Sequence, residues 1–102
     1  MIDLEDKYLK ILRKILGKYA FEYKAVTFGS RVQGTAKKFS DIDIALIGTD
    51  KIGWRELEKI KDAFSESDMP LIVDIIDYNS VSDSFKIHIN SNYDVIKDKE
   101  QH

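Results

Sequence analysis

Three aspartates carry the chemistry this sequence can offer. Asp41 and Asp43 lie two residues apart at the mouth of an apolar run, Ile42 to Ile47. On a β-strand, side chains at i and i+2 share one face, with Cα atoms about 6.6 Å apart. Carboxylates so spaced can reach inward to a common pair of cations, and two metals about 3.5–4 Å apart clamp the oxygens of an in-line displacement at phosphorus. Ile42, Ile44 and Leu46 take the opposite face. Two carboxylates facing each other at a core edge repel and lose hydration. A hard, oxygen-seeking cation such as Mg²⁺ relieves both costs. Alone, an Asp-x-Asp reads more simply as a solvated strand start. Asp74 changes the balance, because it interrupts Leu71-Ile72-Val73-Asp74-Ile75-Ile76-Asp77, where a lone acid is costly unless paired or metal-bound. If that strand lies beside the Ile42 strand, Asp74 completes a three-carboxylate cluster. It would bind the metal nearest the attacking group or accept that group's proton. Asp77, three residues on, faces the other way and reads as a strand-end or turn residue.

Upstream, Gly29-Ser30 follows the strand Ala25-Val26-Thr27-Phe28 directly. A glycine there lets the chain turn sharply and lets a phosphate approach backbone N–H groups. Ser30 adds a hydroxyl donor, and a helix starting near Arg31 aims its positive end at an anion. Gly34 is a second flexible point. Arg31, Lys37 and Lys38 are local cations able to meet a triphosphate or a pyrophosphate leaving group. Gly29 and Gly34 have P-loop spacing, but Thr35-Ala36 follows where Lys and Ser or Thr are needed, so the P-loop reading is rejected. The plain alternative for this segment is an ordinary turn with solvated lysines.

These groups need a scaffold, and alternating strand and helix patterns supply one. Leu4, Tyr8, Ile11, Leu12, Ile15 and Tyr19 recur at three- and four-residue steps, predicting a helix with Asp3 as N-cap and a solvated basic back. Ile42 to Ile47, almost continuously apolar, predicts a strand covered on both faces. Trp54, Leu57, Ile60, Lys61 and Phe64 give a second, narrower helical stripe, with Trp54 as a core or interface anchor. Leu71 to Asp77 predicts a third strand, buried apart from its acids. Ser80 or Ser82 caps a third helix carrying Phe85 and Ile89. Tyr93 to Ile96 predicts a short last strand, and residues 97–102 a polar, frayed tail. His88, beside Phe85 and Ile89, reads as a partly buried structural histidine. Tyr19, Phe21, Tyr23 and Phe28 read mainly as core. The result is an α/β or α+β layered domain.

Bulk properties agree. The chain has 102 residues, enough for one domain. It is 43% hydrophobic and 11% aromatic, so it should fold. A net charge of -2, with 33% charged residues of both signs, argues against general nucleic-acid binding. There is no cysteine, hence no disulfide and no thiolate metal site. No apolar run approaches the ~20 residues of a membrane span, and the acidic N-terminus does not read as a signal peptide. The expectation is a soluble, cytoplasmic protein.

In combination, Gly29-Ser30 after a strand, Ser40-Asp41-Ile42-Asp43 on the next, and Val73-Asp74-Ile75-Ile76 on a later one resemble the DNA polymerase beta-like nucleotidyltransferase superfamily, specifically its minimal nucleotidyltransferase (MNT) domains. The resemblance covers nearly the whole chain, from the first helix to Ile96. It implies a small mixed β-sheet flanked by helices. It further implies that Asp41 and Asp43 bind two Mg²⁺ ions, that Asp74 is the third carboxylate, and that Gly29 and Ser30 contact the phosphates of ATP or another nucleoside triphosphate. Arg31 and Ser40 are supporting residues. Many such proteins are paired with an all-helical HEPN toxin as its antitoxin, and some transfer AMP from ATP to a toxin tyrosine. The small size favours that type, since the acceptor must then come from a partner. The expected function is therefore a Mg²⁺-dependent, protein adenylyltransferase-like enzyme of a HEPN/MNT pair. The alternative is a non-catalytic binding module that neutralises a helical partner by complex formation. Transfer to a small molecule such as an aminoglycoside is weaker, because nothing in this length cradles the drug. The many aromatics leave room for a homodimer.

Overall fold

Alternating apolar residues build one sheet, and apolar residues at helical spacing cover it. The structure, a computed structural model, describes residues 2–34 and 40–99, with the backbone alone at Ser30 and Gln33. Four strands form, β1 (Lys24–Phe28), β2 (Ile42–Ile47), β3 (Val73–Asp77) and β4 (Tyr93–Lys97), in the order β3-β2-β1-β4. β1 runs antiparallel to β2 and β4, while β2 and β3 are parallel. The sheet is therefore mixed, as the resemblance implied.

Helices α1 (Asp6–Tyr19) and α3 (Trp54–Ser65) cover one face; α3 is the crossover that makes β2 and β3 parallel. Leu12 and Leu16 of α1 and Ile60 and Phe64 of α3 pack on Ala25, Ile42, Ile44, Leu46, Ile75 and Ile96. The other face is covered by α4 (Asp83–Ser91) and a 3₁₀ turn, Tyr78–Ser80. There Ile89 packs with Val26, Phe28 and Ala45. A single turn, α2 (Ser30–Gln33), follows β1. Among the described residues no helix is long and apolar enough to cross a membrane.

Several local expectations change. The buried stripe of α1 runs through Leu12 and Leu16, with Leu9 and Ile15 packed beside it, while Tyr19 is 41% exposed. A helical turn of 3.6 residues carries Leu12 onto Leu16 and rotates Tyr19 outward. Asp3 is not the N-cap: Glu5 holds that place without a side-chain bond, and the Asp3 backbone is engaged elsewhere. β3 begins at Val73, not Leu71, and is half-buried, because it is an edge strand; Ile72, just before it, is 68% exposed. Trp54 is 71% exposed, with the Arg55 guanidinium 5.3 Å from its ring centroid. It is not a core anchor; Ile60 and Phe64 fill that place. Ser82, not Ser80, caps α4, accepting from Phe85 N–H at 3.2 Å. Lys97 belongs to β4 rather than to a frayed tail. Its ammonium donates to the carbonyls of Ala20, Phe21 and Tyr23, closing the turn between α1 and β1.

Asp77 is the strand-end residue its spacing implied. It is buried, and its carboxylate accepts from Ile52 N–H at 2.9 Å, Asn79 N–H at 3.1 Å and the Ser80 hydroxyl at 2.6 Å. It ties the loop before α3 to the end of β3. Orphaning a buried donor costs about 1–3 kcal/mol. Asp77→Ala is thus expected to lose about 3 kcal/mol of unfolding free energy in urea titration, whereas Asp74→Ala, exposed on the same strand, is expected to lose none; equal losses would show that the two acids do not differ in kind.

Candidate functional site

Strand register decides which side chains meet. Phe28 of β1 pairs with Asp43 of β2, and Asp43 pairs with Asp74 of β3. Paired residues share a face, and this row lies on the α4 side of the sheet, the side of Val26, Ala45 and Ile76. Asp43 and Asp74 therefore stand side by side on neighbouring parallel strands. Asp77, paired with Leu46, points into the opposite core. Asp41 comes just before β2 and is exposed, as is Asp74; Asp43 is half-buried.

The electrostatics follow from that placement. Burial pushes the Asp43 carboxyl above its ordinary pKa. The carboxylates of Asp74 and Asp41 push the same way, and His88 opposes them. The three acids thus share one electrostatic site centred on Asp43. Among the described residues, no group of three or more His, Cys, Asp or Glu is gathered tightly enough to hold an ion as the side chains stand. The donor set nonetheless suits a hard divalent cation: carboxylate oxygens whose mutual repulsion and burial a positive charge would relieve.

Two neighbours hold Asp43 in place. Gly29 adopts φ +81°, a conformation L side chains rarely take, and a Cβ there would lie 2.7 Å from Asp43 Oδ2. The glycine is needed for the turn and also for the carboxylate that lies against it. Fully buried Thr27 donates from Oγ1 to the Asp43 carbonyl at 2.9 Å, fixing β2 from below. Nothing in the residue types announced Thr27, because its partner is a backbone atom.

Arg31 takes a different place from the one its charge suggested. It is buried, and its guanidinium donates to the Asp3 carbonyl at 3.0 Å and to the Ser40 carbonyl at 2.8 Å. The Arg31 carbonyl accepts from Asp3 N–H at 2.7 Å. Through these bonds Arg31 clasps the N-terminal segment and pins Ser40, the residue before Asp41. Ser40 enters through its carbonyl. The Ser30 side chain, Lys37 and Lys38 lie outside the described residues. His88 is exposed rather than partly buried, and its ring lies 6.2 Å from that of Phe28.

The polymerase beta nucleotidyltransferase family model matches residues 10–102 of this chain. The chain is 39% identical over 100 residues to a Haemophilus influenzae protein named as a probable protein adenylyltransferase, MntA, covering 98% of this chain and 88% of that one. In shape it is similar to a toxin–antitoxin complex component determined with AMP-PNP (TM-score 0.67, 24% identity, 88% of this chain and 73% of that one). It is also similar to a chain of a Shewanella oneidensis complex between tri-AMPylated HEPN toxin and MNT antitoxin (TM-score 0.63, 19% identity, 93% and 73%). At those identities the two structures show a shared fold.

The raised Asp43 pKa has a stability consequence with a definite sign. An acid whose folded pKa exceeds its unfolded one destabilises the fold once both states are ionised, and the penalty disappears as pH falls below the unfolded pKa. With divalent cations chelated, Asp43→Asn is expected to melt above the parent chain at pH 7.5, with the gap shrinking towards pH 4. A lower melting temperature for the variant at pH 7.5 would contradict this account of the site.

Proposed function

The chain belongs to the polymerase beta nucleotidyltransferase family, and on that footing we propose that it transfers AMP from ATP to a hydroxyl of a helical, HEPN-type partner protein. The observation that carries this is the register pair Asp43–Asp74 beside the Gly29 turn, two acids side by side where a packed strand end would otherwise be apolar. The name of the Haemophilus relative supports adenylyl transfer to protein. The AMPylated toxin in the Shewanella complex supports the acceptor class, and AMP-PNP in the other complex supports a nucleoside triphosphate donor.

In this reading each residue has a bounded task. Asp41, Asp43 and Asp74 hold divalent cations, taken to be Mg²⁺, which supply charge neutralisation at the transferring phosphoryl group and its leaving group when bound. The backbone of the Gly29-Ser30 turn receives the phosphates. Asp74, on the open edge strand, accepts the proton of the incoming hydroxyl. A bond forms between that hydroxyl oxygen and the α-phosphorus, the bond from the α-phosphorus to its bridging oxygen breaks, and pyrophosphate leaves. Thr27 and Gly29 keep the Asp43 carboxylate in position, and Arg31 fixes the entry to β2 through Ser40.

Incubation with labelled ATP, Mg²⁺ and the purified partner tests the proposal. Label is expected on the partner, with transfer falling at least ~100-fold in Asp43→Asn. Complex formation without label would favour the non-catalytic binding module, and undiminished transfer by the variant would remove Asp43 from the mechanism.

A further inference from the structure

The α4 face of the sheet carries an aromatic group that packing does not explain. Ile89 is the fully buried residue of α4, and it anchors the helix on Val26, Phe28 and Ala45. One turn earlier, Phe85 remains 37% exposed, and His88 is exposed beside it. Their rings lie 5.6 Å apart, inclined by 45°. Both stand edge-on to the same buried ring: Phe28 is 5.8 Å from Phe85 and 6.2 Å from His88, at 87° and 88°. Phe28 is the residue before Gly29 and the register partner of Asp43. Two solvent-facing rings are thus seated on the side chain that adjoins both the turn and the carboxylates.

We propose that Phe85 and His88 form a shelf on which the base of the bound nucleotide stacks. The inference rests on the nucleotidyl-transfer reading above and adds to it the place of the base. A nucleotide with its phosphates at Gly29 and its α-phosphorus before Asp43 has only the ribose between that point and its base, so a shelf resting on Phe28 is within its span. Every base offers a flat π-face, and stacking on aromatic side chains is a general means of holding one. The shelf is also rigid: α4 is capped by Ser82, held by Ile89, and tied to the 3₁₀ turn where Tyr78 and Asn90 exchange hydrogen bonds. A fixed ring loses little freedom when a ligand stacks on it. The other flat ring in the reaction is an acceptor tyrosine, and the two are separable, because the base belongs to the nucleotide and the tyrosine to the partner.

Calorimetric titration of the purified chain with ATP and with inorganic tripolyphosphate, each with Mg²⁺, tests the proposal. Phe85→Leu keeps an apolar side chain against Phe28, and His88→Ala changes an exposed position. Each is expected to weaken ATP on the order of tenfold and to leave tripolyphosphate unchanged, while Phe85→Tyr, which keeps a ring, restores ATP binding. Equal losses for both ligands would overturn the shelf and make these rings supports of the Gly29 turn. Unchanged ATP binding with a raised KM for the protein acceptor would overturn it in favour of the acceptor ring. A parent chain that binds tripolyphosphate as tightly as ATP would overturn it while leaving the transfer reading intact. A parent chain that binds neither would defeat the transfer reading, and the shelf with it.

Discussion

Two carboxylates forced side by side are the constraint around which this structure is arranged. Parallel pairing of β2 and β3 sets Asp43 against Asp74, at a spacing where both ionised forms repel and one is partly stripped of water. Left to itself, such a pair would push the strands apart or shift their register. The opposite face prevents this. Ile42, Ile44 and Leu46 of β2 and Ile75 of β3 are buried under α1 and α3. Because the side-chain period of a strand is two, a slip of β2 by one residue would carry its three buried aliphatic side chains off that core and turn Asp43 into it. Burial of a branched aliphatic side chain is worth about 1.5–3 kcal/mol, so three of them outweigh a repulsion shared by partly hydrated groups. The apolar face sets the register, and the register sets the charge pair.

The same logic explains residues with no chemistry of their own. Gly29 must lack a Cβ because Asp43 Oδ2 occupies the space where one would sit. Thr27 holds the carbonyl of Asp43 from the neighbouring strand. Arg31 spans the segment before α1 and the residue before Asp41. All three limit how the strand end moves, and they do so through backbone atoms or through missing atoms, so the acids themselves stay available.

How legible this was from the sequence varied with the kind of interaction. The acids were readable, because a lone Asp in an aliphatic run breaks a pattern and i, i+2 spacing fixes a common face. The order of elements was readable for the same reason of period. Half of the Gly29 account was readable: a turn after a strand invites glycine, but the contact with Asp43 depends on the β1–β2 register, which no local pattern states. The bonds from Arg31 to the Asp3 and Ser40 carbonyls were not readable, because carbonyls are common to every residue and silent in a sequence. Tyr19 at the end of α1 and Trp54 at the start of α3 face outward, since three- and four-residue spacings overlap until a partner surface selects one. The ring contact between His88 and Phe28 joins residues far apart along the chain, so no local pattern announces it.

The two faces of the sheet therefore divide the work. The α1/α3 face is thickly covered and carries the residues that fix register. Among the described residues, the α4 face is covered by one nine-residue helix and a single 3₁₀ turn, and along it lie the Gly29 turn, the three acids and the Phe85–His88 pair. Stability comes mainly from the first face, so the second can tolerate repelling charges and exposed rings. An open face matters for transfer to a macromolecule, because a side chain on a folded protein cannot enter a deep cavity without unfolding its own surroundings. β3, half-buried at the sheet edge, leaves Asp74 exposed, while Asp43, one strand further in, keeps the more buried position. Edge and interior strands thus give two chemically identical residues different access to solvent.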